Sequence, residues 1–222
     1  MNPVISPDCG TTVLQEACPS SGWKAHVARQ FAKPEGRLGR LAGLVMAYKN
    51  RERSEWVLSL LKLEPVDRVV EVGFGAGRDL QRVAAVANEG LAAGVDHSEV
   101  MVRMARAQSM GAILSGRADI REAESGKLPF RDEEFTKAFS INSVQFWPDR
   151  RAALLELKRV LRPGGLIAIA LEPRGASTPE LALANGETIA GDLTASGFAE
   201  VRLETSSTCK VPTLCAIGVK EG

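Results

Sequence analysis

Histidine and tyrosine are nearly missing from this chain of 222 residues: it has two histidines, His26 and His97, and one tyrosine, Tyr48. Chemistry that needs several imidazoles has almost nothing to draw on. Cysteine is sparse as well. Cys9, Cys18, Cys209 and Cys215 form no Cys-x-x-Cys pair, so no zinc site is expected and no metal ligands are assigned. A chain of this size builds a core without disulfide staples, so the reduced thiols of a cytoplasmic protein are the default expectation. Neither sign of charge is in excess. Lys plus Arg number 28 and Asp plus Glu 27, a net charge of +1 that argues against nucleic-acid binding through bulk basicity. Long apolar runs are missing too. The longest aliphatic stretch, Leu166–Leu171, falls far short of the ~20 residues of a membrane span. The opening residues, MNPVISPDCG, lack the basic-then-apolar pattern of a signal peptide.

What is present is ordinary globular composition, 45% hydrophobic and 25% charged. Three stretches follow one another. Residues 1–22, rich in Pro, Gly, Ser and Thr, predict an irregular arm. Residues 23–64 predict a helical cap. A short amphipathic helix runs over Trp23–Phe31 and a longer one over Leu41–Leu63, which Pro65 ends. The cap is biased towards Arg and Lys, which reads as a solvated face, as steering for an anionic substrate or as contact with an anionic lipid surface. Residues 65–222 predict the core. Apolar strands at Arg68–Val72, Ala92–Val95, Ala118–Ala123, Lys137–Ile141 and Leu166–Leu171 alternate with helices at Asp79–Asn88, Ser98–Gln108, Arg150–Leu161 and Glu187–Ser196. All-apolar strands in βα alternation predict a parallel sheet covered on both faces. The last two strands, Glu200–Thr205 and Pro212–Lys220, are joined too tightly for a helical crossover and must pair antiparallel.

The strongest local signal is VVEVGFGAGR, residues 69–78. A buried strand enters a Gly-rich turn that opens a helix, as a ligand approaching the backbone requires. A dinucleotide turn wants G-x-G-x-x-G to seat a pyrophosphate on the helix N-terminus. Here Gly73, Gly75 and Gly77 are spaced G-x-G-x-G, and Glu71 stands just before them. A carboxylate repels a pyrophosphate and attracts a cation. The second signal is GVDHS, residues 94–98, where Asp96 ends a strand and can accept hydrogen bonds from both hydroxyls of a ribose. The alternative for this Asp is a helix N-cap, a part Ser98 could also play.

These segments, with LPFRDEEF (128–135), FSINSVQFWPD (139–149) and LKRVLRPGGLIAIAL (157–171), resemble the class I S-adenosylmethionine-dependent methyltransferases. The likeness is to the small-molecule group of ubiquinone and menaquinone biosynthesis, the type 11 methyltransferases. It covers residues 65–171 in the family's order. It implies a Rossmann-like α/β three-layer sandwich with a mostly parallel seven-stranded sheet and an antiparallel C-terminal strand. It implies that Glu71, Gly73, Phe74, Gly75 and Gly77 surround the methionine end of S-adenosylmethionine. Asp96 would hold the ribose, with His97 and Met101 against adenine and ribose. Glu124 and Ser125 would lie beside the adenine, with Asp119 as a competing acid. Asn142 and Ser143 would face the methionine part and the transferred methyl. The expected reaction is metal-independent in-line transfer, dominated by positioning, to a small acceptor.

The catalytic group is left open. Tyr48 and His26 are candidates for contact with substrate by their scarcity and their place in the cap, against readings as a core-rim aromatic and an exposed helix residue. Phe146-Trp147-Pro148 reads equally as a pocket wall or as core aromatics before a helix. The expected partner is a small-molecule acceptor, with no nucleic acid, in a monomer or homodimer. Two other functions compete: a cofactor-binding regulatory protein without activity, and an NAD-dependent oxidoreductase, which the G-x-G-x-G spacing and Glu71 disfavour.

Overall fold

A computed structural model describes residues 51–172, 178–206 and 213–222. The arm, most of the cap, Tyr48, His26, Cys9, Cys18 and Cys209 lie outside the described residues. The first described element is α1 (Arg51–Leu61), whose buried positions are Arg53, Ser54, Val57 and Leu61. There follow β1 (Arg68–Val72), α2 (Arg78–Val86), β2 (Leu91–Asp96), α3 (Glu99–Gln108), α4 (Met110–Leu114), β3 (Ala118–Glu122) and β4 (Phe135–Ile141). A 3-10 turn (Val144–Phe146) leads to α5 (Arg150–Val160), β5 (Leu161–Leu171), α6 (Pro179–Ala195), β6 (Phe198–Ser206) and β7 (Thr213–Lys220).

The strands form one seven-stranded sheet in the order β3-β2-β1-β4-β5-β7-β6. The five strands β3 to β5 in that order pair parallel, and β7 pairs antiparallel with both β5 and β6. Alternation along the strands sends side chains to two separate cores. On one face Val69, Ala92, Phe139, Ala168 and Ile217 pack with Val57 and Leu61 of α1 and Val83 and Ala84 of α2. On the other Val70, Val72, Ala93, Ile167 and Ile169 pack with Leu154 and Leu157 of α5 and Ile189 and Leu193 of α6. The result is the expected Rossmann-like three-layer α/β sandwich. Among the described residues no helix is long and apolar enough to cross a membrane.

The two largest differences from the expected boundaries are in β5 and α6. β5 begins at Leu161 rather than Leu166, because Leu161 already pairs with Phe135 before the register shifts to Lys137↔Leu166. Pro163-Gly164-Gly165 is thus a bulge within the strand, where a residue lacking an N–H is tolerated. α6 begins at Pro179 rather than Glu187. Thr178 caps it by accepting a hydrogen bond from the Leu181 amide at 3.3 Å, and Pro179 takes the first turn. Asn185-Gly186 weakens the local helix signal, but a Cβ at Gly186 would sit 3.1 Å from Leu214, so close packing on β7 favours the glycine inside the helix.

Opposite the strand C-termini, Asp67 is buried before β1 and accepts hydrogen bonds from the Glu64 amide and Thr136 Oγ1, both at 2.7 Å, and from Lys137 Nζ. Burial works against its charge, but these donors hold the carboxyl below its ordinary value. Cys215, in the middle of β7, is wholly buried, and burial pushes its thiol up to about 12. Iodoacetamide is therefore expected to label Cys215 at least ~100-fold more slowly in native than in urea-unfolded protein, read by peptide mass spectrometry. Equal rates would show that β7 opens readily.

Candidate cofactor and acceptor site

In this strand order the chain runs outward from β1 to β3, then crosses back to β4, so the crevice between the C-terminal ends of β1 and β4 is the topological switch point where ligands bind. The Gly-rich turn opens on that crevice. Gly73 has φ 80° and Gly77 φ 79°. A Cβ on Gly73 would fall 2.2 Å from Ser143 Oγ, and one on Gly77 2.5 Å from the Ala105 Cβ. These two glycines seat the turn on the loop after β4 and on α3. Gly75, at φ 54°, is different: a Cβ there meets nothing within 4 Å. The middle glycine therefore borders open space while its neighbours are pinned.

Asp96 ends β2 and ties itself to the turn. Its Oδ2 accepts from the Gly75 amide and its Oδ1 from the Ser98 amide, each at 2.9 Å. Ser98 is the cap of α3, accepting from the Met101 amide at 3.4 Å, so Asp96 is not the cap. Burial raises the Asp96 carboxyl above its ordinary value, and the two amides partly offset that. His97 is half-buried, its Nδ1 3.9 Å from Asp96 Oδ1. Phe74 and Met101 are buried together with Leu80, Met104 and Ile120 in an apolar cluster beneath the turn.

Glu71 is 2% exposed, and its Oε2 has no hydrogen-bond partner. Burial, then the charges of Asp79 and Asp96, hold its carboxyl well above the ordinary value, with Arg82 opposing. Asp79, in the first turn of α2, is also raised by burial, while Ser54 Oγ at 2.7 Å and Arg82 Nη1 at 2.9 Å favour its charge. Three acids thus converge where the strand turns into the helix. A diphosphate would meet repulsion here, whereas an amine or sulfonium would supply the missing partner. The orphaned Glu71 oxygen and the open space at Gly75 fit the cationic methionine end of S-adenosylmethionine.

The other expected residues divide. The Ala123 amide donates to the Asp96 carbonyl at 3.2 Å, which brings the segment after β3 beside the end of β2. There Glu124 is exposed, and Ser125 is buried with its hydroxyl unpartnered. The competing Asp119 lies within β3, where Arg121 Nη2 binds its carboxylate at 2.6 Å. Asn142, at φ 55°, receives the Glu172 amide on Oδ1 at 2.8 Å. The Ser143 hydroxyl donates to the Val72 carbonyl at 2.9 Å and accepts from Trp147 Nε1 at 3.0 Å, so its polar capacity is spent supporting Gly73.

Four residues near this edge were not among the site residues expected from the sequence: Arg53, read only as part of the basic bias, and Ser54, Asp79 and Glu172. Adjacent residues of α1 reach in two directions. Ser54 binds Asp79 at the start of α2, while Arg53 pairs with Glu172 after β5 and donates to Thr213 Oγ1 at 3.2 Å. Asp79 carried a usable signal, an acid directly after the glycine turn. Glu172 carried one too, as the charge that ends an apolar strand. A buried arginine in an amphipathic helix carried none.

Comparison with known proteins bears on the family and the fold. Residues 70–169 match the family described as "Methyltransferase domain" (Methyltransf_11). The uncharacterized methyltransferase YdaC of Bacillus subtilis is 27% identical over 81% of this chain and 98% of its own length. The 27-O-demethylrifamycin SV methyltransferase of Amycolatopsis mediterranei is 32% identical over 50% of this chain but only 40% of its own length, so the chain spans less than half of that relative. A solved S-adenosylmethionine-dependent methyltransferase from Aquifex aeolicus shares the fold, with a TM-score of 0.62 at 23% identity over 75% of this chain and 89% of that one. Together the matches support a class I S-adenosylmethionine-dependent methyltransferase that resembles the type 11 group.

Proposed function

We propose that this protein methylates a hydroxyl oxygen of a small-molecule acceptor. S-adenosylmethionine supplies an electrophilic methyl: its bond to sulfur breaks, leaving the electron pair on sulfur, as a lone pair of the acceptor forms the new bond. The chain's own residues bind and position. Glu71, backed by Asp79, meets the positive methionine end; Asp96, held by the Gly75 and Ser98 amides, meets the ribose; Glu124 and Ser125 border the adenine. The observation that carries the proposal is the unpartnered buried oxygen of Glu71 beneath an open glycine turn. Support for an oxygen acceptor comes from the relative named for an O-demethylated rifamycin. Among the described residues α6 alone separates β5 from the final strand pair, which leaves little structure for gripping a macromolecule.

Titration calorimetry with S-adenosylhomocysteine and with NAD tests the cofactor half. Binding of the first and not the second is expected, and the reverse would sink the assignment. Labelled-methyl transfer to a panel of phenols and alcohols tests the acceptor half. Tight cofactor binding with no transfer to any of them would favour a cofactor-binding protein without this activity.

A further inference from the structure

We propose that Glu172 is the group that grips the acceptor: its carboxylate accepts the hydrogen bond of the acceptor's hydroxyl at the C-terminal tip of β5, beside the crevice. The inference rests on the methyl-transfer assignment above and adds a residue that the family comparison does not supply.

The argument starts from Arg53. Its side chain is 4% exposed, and burying a guanidinium is costly unless an anion meets it. That anion is Glu172, bound through Oε2. The pair is asymmetric: the arginine is buried, but Glu172 keeps 36% of its side-chain surface exposed. Here a buried cation aims a partly open anion. Arg53 binds Oε2, and the second oxygen, Oε1, is the one assigned to the acceptor.

The backbone of Glu172 is fixed as firmly as its side chain. Its amide donates to Asn142 Oδ1 at 2.8 Å, and Asn142 holds a left-handed φ of 55° at the end of β4. Asparagine is among the residues that adopt this conformation most readily, so the bend that orients its side chain towards Glu172 comes at little cost. The next residue, Ser143, supports Gly73. Glu172 is thereby linked through β4 to the cofactor turn. Neighbouring strands lie ~4.8 Å apart, so the tip of β5 is about two strand spacings from the tip of β1. An acceptor reaching a methyl held over the switch point meets that tip. When its oxygen is methylated, the displaced proton passes to Glu172 Oε1 and on to solvent, which partial exposure permits.

The test uses the full chain saturated with S-adenosylhomocysteine and two fluorine-labelled probes, 4-fluorophenol and its methyl isostere 4-fluorotoluene, followed by fluorine NMR. Wild type is expected to bind the phenol more tightly. Glu172→Gln is expected to weaken the phenol about tenfold and leave the toluene unchanged, because a charge-assisted hydrogen bond is replaced by a neutral one. Affinity for S-adenosylhomocysteine should stay within about twofold, as Glu172 is not assigned to the cofactor. Glu172→Asp keeps the charge beside Arg53 and guards against misfolding. By withdrawing the carboxylate it should weaken the phenol as well. Equal phenol binding by a folded variant and wild type, or no preference for the phenol in wild type, overturns the proposal. Failure of wild type to bind S-adenosylhomocysteine would instead overturn the assignment on which it rests.

Discussion

Glu71→Gln is expected to weaken S-adenosylmethionine binding by roughly 10- to 100-fold while making the cofactor-free protein more heat-resistant at neutral pH. Both effects have one cause. The carboxylate is buried, one oxygen lacks a partner, and Asp79 and Asp96 add their repulsion. With its folded-state value raised above the ordinary 4.5, the contribution of this group to stability is fully present below that value. It is lost as pH rises through the raised value, because the folded protein must then hold a charge it cannot solvate. Glutamine has no charge to lose. The gap in melting temperature between variant and wild type should therefore widen from acid to neutral pH.

Cofactor binding has the opposite appetite. A sulfonium and an ammonium favour the ionised carboxylate, so affinity in wild type should rise with pH through the same window and be flatter in the variant. Calorimetric titration and thermal melts across that range check both halves. A variant that loses stability and keeps affinity would show that Glu71 is a structural acid whose partner is elsewhere.

Gly73→Ala is expected to cost on the order of 3 kcal/mol, enough to lower the melting temperature by about 10 °C. The added Cβ would stand 2.2 Å from Ser143 Oγ and 2.3 Å from the Ser143 Cβ, in a backbone already at φ 80°. Ser143 cannot step aside freely, since it donates to the Val72 carbonyl and accepts from Trp147. Gly75→Ala separates packing from function. Its Cβ meets nothing within 4 Å, so only the left-handed backbone resists, and the stability loss should be about 1–2 kcal/mol. The methyl then stands in the space assigned to the cofactor. S-adenosylhomocysteine affinity should fall further in Gly75→Ala than its stability loss explains. Equal melting temperatures for the two variants would show that the loop after β4 yields to Gly73.

The sheet and the cofactor turn were readable because their signals are local. β1 runs over Arg68–Val72 as expected, since three valines of high strand propensity lead directly into the glycine turn. Glu71, Gly73, Gly75 and Gly77 share that one turn, and Asp96 ends the next strand. The antiparallel hairpin of β6 and β7 followed from the shortness of their connection. β5 and α6 were cut short for a related reason. Local breakers, Pro163-Gly164-Gly165 and Asn185-Gly186, outweighed partners far along the chain: Phe135 for the start of β5, Leu214 for Gly186.

Side-chain partnerships were the part no local pattern could supply. Arg53 and Glu172 are separated by 119 positions, and Ser54 and Asp79 by 25. In a linear reading Arg53 belongs to the solvated face of an amphipathic helix. Folding places it against the tips of β5 and β7, where burial makes a partner obligatory. Ser143 shows the reverse. Its position at the end of β4 was legible, but its hydroxyl is taken by Val72 and Trp147. Backbone path follows from propensity, turn chemistry and apolar period along the chain, whereas the choice of which polar atoms meet is made only when burial removes water as the competing partner.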